Sequence, residues 1–175
     1  NWLYGNAGTY SLTNSAGHTI RGAGHLGNDS MLLVNQGTIT ADQSNALTLD
    51  LTGAMADING VNTGTMQAIS GGTLLISGSG INNADGTIQA LDGSTVTISA
   101  SRINSGILTT GGSGVIQLQT SAIINNVTNT GLINVANAQT GSLEGTITNN
   151  KIEGIQLNST GSYTILRLSG NVTLA

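Results

Sequence analysis

Hydrophobic and polar residues alternate with a period of two along most of this 175-residue chain. In the run TMQA, Met66 and Ala68 fall on one side and the two polar residues fall on the other. Glycine-rich turn residues follow, and a second alternating run then places Leu74 and Ile76 on the apolar side. A period of two over four or five residues is typical of a half-buried β-strand, because successive side chains point to opposite faces. The pattern therefore predicts pairs of short strands joined by tight corners.

The same pattern returns in five copies, each marked by a Gly that follows an Asn by two or three positions. These glycines are Gly37, Gly64, Gly86, Gly106 and Gly131, and the steps between them are 27, 22, 20 and 25 residues. Counted from the glycine, apolar residues recur at position two of the first strand and at positions ten and twelve of the second. The predicted core columns are Ile39, Met66, Ile88, Leu108 and Ile133 in the first strand, and Leu74, Ile76, Val96, Ile98, Ile116 and Leu118 in the second. A fixed period in this range indicates a solenoid or a related repeat array.

Strands this short cannot bury an aliphatic face alone, but coils stacked about 4.8 Å apart would align the columns into one core. The sequence therefore predicts an all-β fold, a single-stranded parallel β-helix (right-handed β-solenoid) with about 20–27 residues per coil. We expect residues 1–175 to form a single β-solenoid segment excised from a longer chain. Its diverged first coils would span 1–34, its regular coils 35–147 and its irregular last coils 148–175.

The asparagine before each corner is predicted to stack on its counterparts in neighbouring coils. Asparagine tolerates left-handed backbone geometry, and its amide can bond to the amides above and below it. The predicted structural Asn ladder consists of Asn35, Asn62, Asn83, Asn104 and Asn129, with Asn14 and Asn149 as outer members.

Length varies between the second strand and the next asparagine, most clearly in 50–60 and 119–127. Variable corners on a rigid solenoid are natural places for recognition loops. Asp50, Asp57, Gln119 and Asn125 are the candidate recognition residues. A solvated excursion without a binding role is the simpler alternative for both segments.

The low charge of the chain excludes some classes of partner. Four Lys and Arg residues against eight Asp and Glu residues give a net charge of −4, and the basic residues are scattered. Because phosphate backbones are bound by clustered basic residues, we expect no nucleic-acid partner. No apolar run approaches 18 residues, so we expect no membrane insertion by this segment.

Three motifs suggest cofactor or metal sites but lack the context that such sites require. The glycines of 22–27 match G-x-G-x-x-G, yet no helix follows to hold a pyrophosphate. The glycine-rich stretch 111–114 resembles a calcium-binding repeat, but Ile116 stands where the Asp ligand would be. His18 and His25 have no Cys partner. We therefore expect no cofactor and no metal.

Catalysis is also not indicated by the placement of the acidic residues. Polysaccharide cleavage by a β-helix protein would need clustered carboxylates on one outward face. Asp85 and Asp92 belong to one coil but to different corners. Outward threonines typical of ice or crystal-surface binding begin at Thr38 and Thr40 but give way to Gln, Ile and Leu in later copies. The sequence predicts a protein that is not an enzyme, with a polysaccharide-binding or polysaccharide-cleaving β-helix as an alternative.

The repeats N-T-G-T-x-Q-A…G-G-T-L-x-I-S-G and N-x-x-G-T-I-Q-A…G-S-T-V-T-I-S are similar to those of large bacterial exoproteins. The chain resembles the haemagglutination-activity and autotransporter-passenger repeats of the filamentous haemagglutinin type, from about Asn14 to Ala175. That family's N-terminal N-P-N-G secretion motif cannot be present, because the chain has no Pro.

This resemblance implies a right-handed β-helix in a secreted or surface-displayed bacterial protein, acting as a stiff, adhesive stalk or fibre. The expected partners are a host-cell, glycan or matrix surface, and the expected location is extracellular or on the bacterial cell surface. The alternative is a filament subunit that associates end to end through its terminal coils.

Overall fold

The computed structural model of the protein describes residues 1–7, 10–152 and 154–175. The alternating runs form short strands, most of them three to five residues long, and no helix occurs within these ranges. In chain order the strands are β1 (Trp2–Tyr4), β2 (Ser11–Asn14), β3 (Thr19–Gly22), β4 (Gly24–Gly27), β5 (Leu32–Asn35), β6 (Thr38–Ala41), β7 (Leu47–Asp50), β8 (Gly60–Asn62), β9 (Thr65–Ala68), β10 (Thr73–Ser77), β11 (Gly80–Asn82), β12 (Thr87–Ala90), β13 (Thr95–Ser99), β14 (Arg102–Asn104), β15 (Ile107–Thr110), β16 (Val115–Gln119), β17 (Ala122–Asn125), β18 (Thr128–Asn129), β19 (Ile133–Val135), β20 (Thr140–Asn149), β21 (Ile155–Leu157) and β22 (Ile165–Leu174).

Each strand pairs in parallel with the strands one coil before and after it, so that the coils stack into a solenoid with three faces. The first face is an 8-stranded sheet of β1, β4, β7, β10, β13, β16, β19 and β21. The second face holds β2, β5, β8, β11, β14 and β17, and the third holds β3, β6, β9, β12, β15 and β18. The long strand β20 crosses from the second face to the third and joins them into one 14-stranded sheet, to which β22 is added. The predicted all-β parallel solenoid is confirmed.

The interior is a continuous aliphatic core without aromatic side chains. Every predicted core residue is buried, with essentially no exposed surface. The second face contributes a third set of buried side chains, Leu33, Ile81, Ile103 and Ile124. Since burying one such side chain contributes about 1.5–3 kcal/mol, the stacked columns are the main source of the solenoid's stability.

The second face is a third strand in each coil, which the two-strand pattern did not predict. The segment 119–127, predicted as an insertion, contains the end of β16, a two-residue turn and β17. The assignment of Gln119 and Asn125 to a recognition loop is therefore wrong, since each is the last residue of a strand. Strands of the second face are short and place a single aliphatic inward, as Ile81 and Ile103 do, so their alternation is too brief to recognise.

The last regular copy was aligned in the wrong register. Ile133 was assigned to the column of Leu108, but it pairs with Ile116 in the first face, whereas Leu108 pairs with Asn129. The physical reason is a short coil: Ile116 and Ile133 are 17 residues apart, against 27 between Leu47 and Leu74. The asparagine–glycine pair of this copy therefore sits one corner later than in the others.

Asparagines form a hydrogen-bonded ladder between the second and third faces, and its first four members are all buried. The Nδ2 of Asn14 donates to Oδ1 of Asn35 at 2.7 Å, Asn35 donates to Asn62 at 2.7 Å, and Asn62 donates to Asn83 at 2.6 Å. The ring Nδ1 of His18 lies 2.7 Å from Oδ1 of Asn14 and occupies the free end of the ladder. The predicted stacking of amides therefore holds over these coils.

Asn104 and Asn129 do not belong to this ladder, contrary to the prediction. At the next coil the corner contains only Ser105 and Gly106, both with positive φ, and Asn104 is drawn back onto the outer side of β14, where it pairs with Asn82. Asn83 instead donates to the backbone oxygen of Ser105 at 3.3 Å. Asn129 starts a separate pair at the end of the third face, donating to Oδ1 of Asn149 at 2.7 Å.

Candidate recognition surface

The outer side of the third face carries a column of threonines in register. It consists of Thr19, Thr38, Thr65, Thr87, Ile107, Thr128 and Thr148. The sequence analysis ended this column after Thr87, because its last copy was misaligned. Beside it, Gln89 donates to Oε1 of Gln67 at 2.6 Å and Gln67 donates to the hydroxyl of Thr40 at 3.0 Å. These side chains lie along the solenoid axis, so that the face is smooth and almost uncharged.

The loop 51–59 between β7 and β8 is the one large insertion that the sequence analysis located correctly. It folds back on itself, with Asn59 donating to the backbone oxygen of Ala54 at 3.1 Å and the Ala54 amide donating to Oδ2 of Asp57 at 3.3 Å. Leu51 at its start is buried in the core. Asp57 therefore lies in an ordered excursion, and much of its hydrogen-bonding capacity is used to hold the loop.

Asp50 is the last residue of β7 and faces outward from the first face. Partial burial raises the pKa of its carboxyl, the nearby Asp29 raises it further, and His25 opposes both. Because a raised pKa means that ionisation is unfavourable, this carboxylate benefits from a hydrogen-bond donor placed against it.

Asn125 belongs to a polar cluster on the second face rather than to a loop. Arg102 forms an ion pair with Glu144 across the intervening coil, and its Nε donates to Oδ1 of Asn104 at 2.9 Å. The amide of Asn125 contacts the same Oδ1 at 2.9 Å. These groups satisfy one another, so the cluster acts as a tie between three coils. The sequence gave little sign of it, since Arg102 and Glu144 are 42 residues apart.

Gln119 lies on a different face from Asn125. It ends β16 on the first face, where its Nε2 donates to Oε1 of Gln117 at 2.9 Å. The four candidate recognition residues are therefore distributed over two faces and one loop, and the fold does not bring them together.

No group of three or more His, Cys, Asp and Glu side chains capable of holding a metal ion occurs in 1–7, 10–152 and 154–175. The same ranges contain no helix that is long and apolar enough to cross a membrane. Comparisons with protein-family profiles, with curated proteins and with solved structures gave no match.

Proposed function

We propose that this chain is a structural and adhesive segment of a secreted or cell-surface bacterial protein, in which it acts as a rigid stalk. The observation that carries the proposal is the uninterrupted parallel pairing of the first face, from β1 through every coil to β21. Each coil is bonded only to its neighbours, so that length can be added without changing the cross-section. Such an architecture suits a spacer that holds binding surfaces at a distance from a cell.

The outward residues support this proposal. The columns of the third face consist mainly of Thr and Gln, which bond to one another along the axis. The resemblance to repeats of large bacterial exoproteins points the same way. The location that follows from the proposal is extracellular, and the partners would be host-cell, glycan or matrix surfaces.

Stiffness can be measured with two spin labels, because the natural chain has no Cys to compete with introduced ones. Ser44 and Asn150 are exposed residues at corresponding corners after the third face, five coils apart. In the S44C/N150C variant we expect a narrow distance distribution centred at roughly 24 Å between the backbone positions, from about 4.8 Å per coil. Pulsed electron paramagnetic resonance gives this distribution directly. A broad distribution in the folded variant would contradict a rigid stalk.

Adhesion is tested with protein-coated beads on cultured epithelial cells and on a collagen–fibronectin matrix. We expect beads that carry the folded protein to attach several-fold more than beads that carry the same protein denatured before coupling. The denatured control has the same composition and charge, so a difference reports the folded surface. Equal attachment of both beads would remove the adhesive part of the proposal and leave the stalk.

A further inference from the structure

Aromatic side chains are concentrated at one end of a chain that has only 2% of them. Trp2, Tyr4 and Tyr10 lie in the first coil, and each exposes more than half of its side chain. The remaining aromatic residue, Tyr163, lies near the other end and is 92% exposed. An exposed group of large apolar rings is unusual on a surface of Thr, Gln, Asn and Ser, and marks a place where a partner can bind.

Trp2 and Tyr4 point outward from the first face, side by side. Between them, Leu3 pairs with the buried Leu26, so the residues on either side of Leu3 face solvent. Two residues along a strand are separated by about 6.6 Å, which places the two side chains close enough to contact one ligand. The Trp2 ring stacks on the ring of His25, with centroids 4.1 Å apart and planes within 8°. This stacking holds the indole in one orientation before any ligand arrives.

A groove of about 350 Å³ lies against these rings and is lined by Trp2, Tyr4 and Asn28. Tyr4 pairs with Gly27, and the next residue in the same column is Asp50. Since Gly27 has no side chain, nothing projects from the sheet between Tyr4 and Asp50. The glycine is required there, because its φ is +118° and an added Cβ would lie 2.8 Å from the backbone carbonyl carbon of Asp50.

We propose that this aromatic groove, formed by Trp2, Tyr4, Asn28 and Asp50, binds a neutral oligosaccharide. A pyranose ring has an apolar C–H face, which can pack on aromatic rings, and a rim of hydroxyl groups. The Asn28 amide can donate and accept hydrogen bonds, and the Asp50 carboxylate accepts them from hydroxyl groups. The inference deepens the proposed adhesive function, on which it rests, by naming the ligand class and its site.

The size and charge of the groove favour a sugar over other partners. A volume of about 350 Å³ falls within the 300–1,000 Å³ typical of small-ligand sites. A protein partner would need roughly 800 Å² of matching surface on each side, and the neighbouring columns of the first face are mostly Thr, Ser and Gln. The acidic side chains of Asp29 and Asp50 disfavour anionic sugars such as sialylated glycans.

The test uses the full chain, in which Trp2 is the only tryptophan, so that its fluorescence reports on the groove. The probes are oligosaccharides of β-linked glucose, N-acetylglucosamine and galactose, with a sialylated trisaccharide as the anionic comparison. We expect a saturable fluorescence change with at least one neutral probe and none with the sialylated one. Isothermal titration calorimetry then compares variants. We expect Y4A and W2A each to weaken binding at least about tenfold, and Y163A to leave it unchanged.

The exposed, terminal position of the two rings means that both variants should fold, and far-UV circular dichroism verifies this. No change with any neutral probe would overturn the inference, as would binding that survives both W2A and Y4A. Either result leaves cell attachment of coated beads to be judged separately. Conversely, sugar binding without cell attachment would support the groove and contradict the adhesive role.

Discussion

Replacing Gly64 with Ala should lower the free energy of unfolding by at least about 3 kcal/mol. The added Cβ would overlap the backbone carbonyl oxygen of Gly37 and would lie 2.7 Å from the carbonyl carbon of Gln36, both in the preceding coil. Backbone atoms on this inner corner cannot move aside, because the amides of Thr63 and Thr65 donate to Asn35 and Gly37 there, at 2.8 and 2.9 Å. The two coils must therefore separate locally.

The matched control is Gly93→Ala, at a corner where an added Cβ meets no atom within 4 Å. Gly93 has a φ of +72°, so that this variant should lose only about 1–2 kcal/mol, the cost of a left-handed alanine. Urea denaturation followed by circular dichroism compares the two variants. Hydrogen exchange should show lost protection of the amides at 63–65 in G64A alone. Equal denaturation midpoints for the two variants would show that the coils do not approach as closely as the structure has them.

Asparagine–glycine corners were visible in the sequence because they recur, whereas the features that broke the recurrence were missed. Leu74, Val96 and Ile116 could be placed in one column because three consecutive coils have 20 or 22 residues between their equivalent positions. The 17-residue step to Ile133 removed the count on which the alignment depended. A period identifies a solenoid, but only the backbone pairing determines the register of an irregular coil.

The candidate groove was beyond the reach of the sequence for a different reason. Trp2 and Tyr4 show the spacing of two that marks a strand, yet the segment has no repeat partner with aliphatics in the same places. Its role became visible once Trp2 was found paired with His25 and Tyr4 with Gly27. Contacts between coils join residues more than 20 positions apart, and no local pattern encodes them. The repeated part of the chain is therefore predictable, while the specific part depends on its three-dimensional neighbours.

Replacing Asn62 with Ala should destabilise the solenoid by about 3 kcal/mol, because it cuts the asparagine ladder in the middle. The variant removes the acceptor of the Asn35 amide and the donor to Asn83, and all three residues are fully buried. Leaving buried polar groups without partners costs about 1–3 kcal/mol for each. Asn82→Ala is the control, since that side chain points outward next to Asn83 and bonds only the nearby Ala84 amide; it should cost less than about 1 kcal/mol.

Asn62→Asp separates the donor function from the acceptor function at nearly constant volume. The introduced carboxylate can still accept from Asn35, but it would place an anionic oxygen against Oδ1 of Asn83, where the amide now donates at 2.6 Å. Burial and this repulsion raise the pKa of the introduced carboxyl in the folded protein above its unfolded value of about 3.9. The destabilisation is therefore complete above the folded pKa and is relieved as the pH falls through it, when the protonated carboxyl can donate to Asn83.

Urea denaturation between about pH 4 and pH 8 should accordingly show N62D gaining stability relative to the natural protein as the pH falls, while N62A stays at a constant offset from it. The direction is opposite to that of a salt-bridged carboxylate, whose contribution is lost in acid. A constant offset for N62D as well would mean that the Asn62 amide is not an essential donor to Asn83. The ladder would then be a consequence of coil stacking, and the aliphatic columns alone would determine how the coils align.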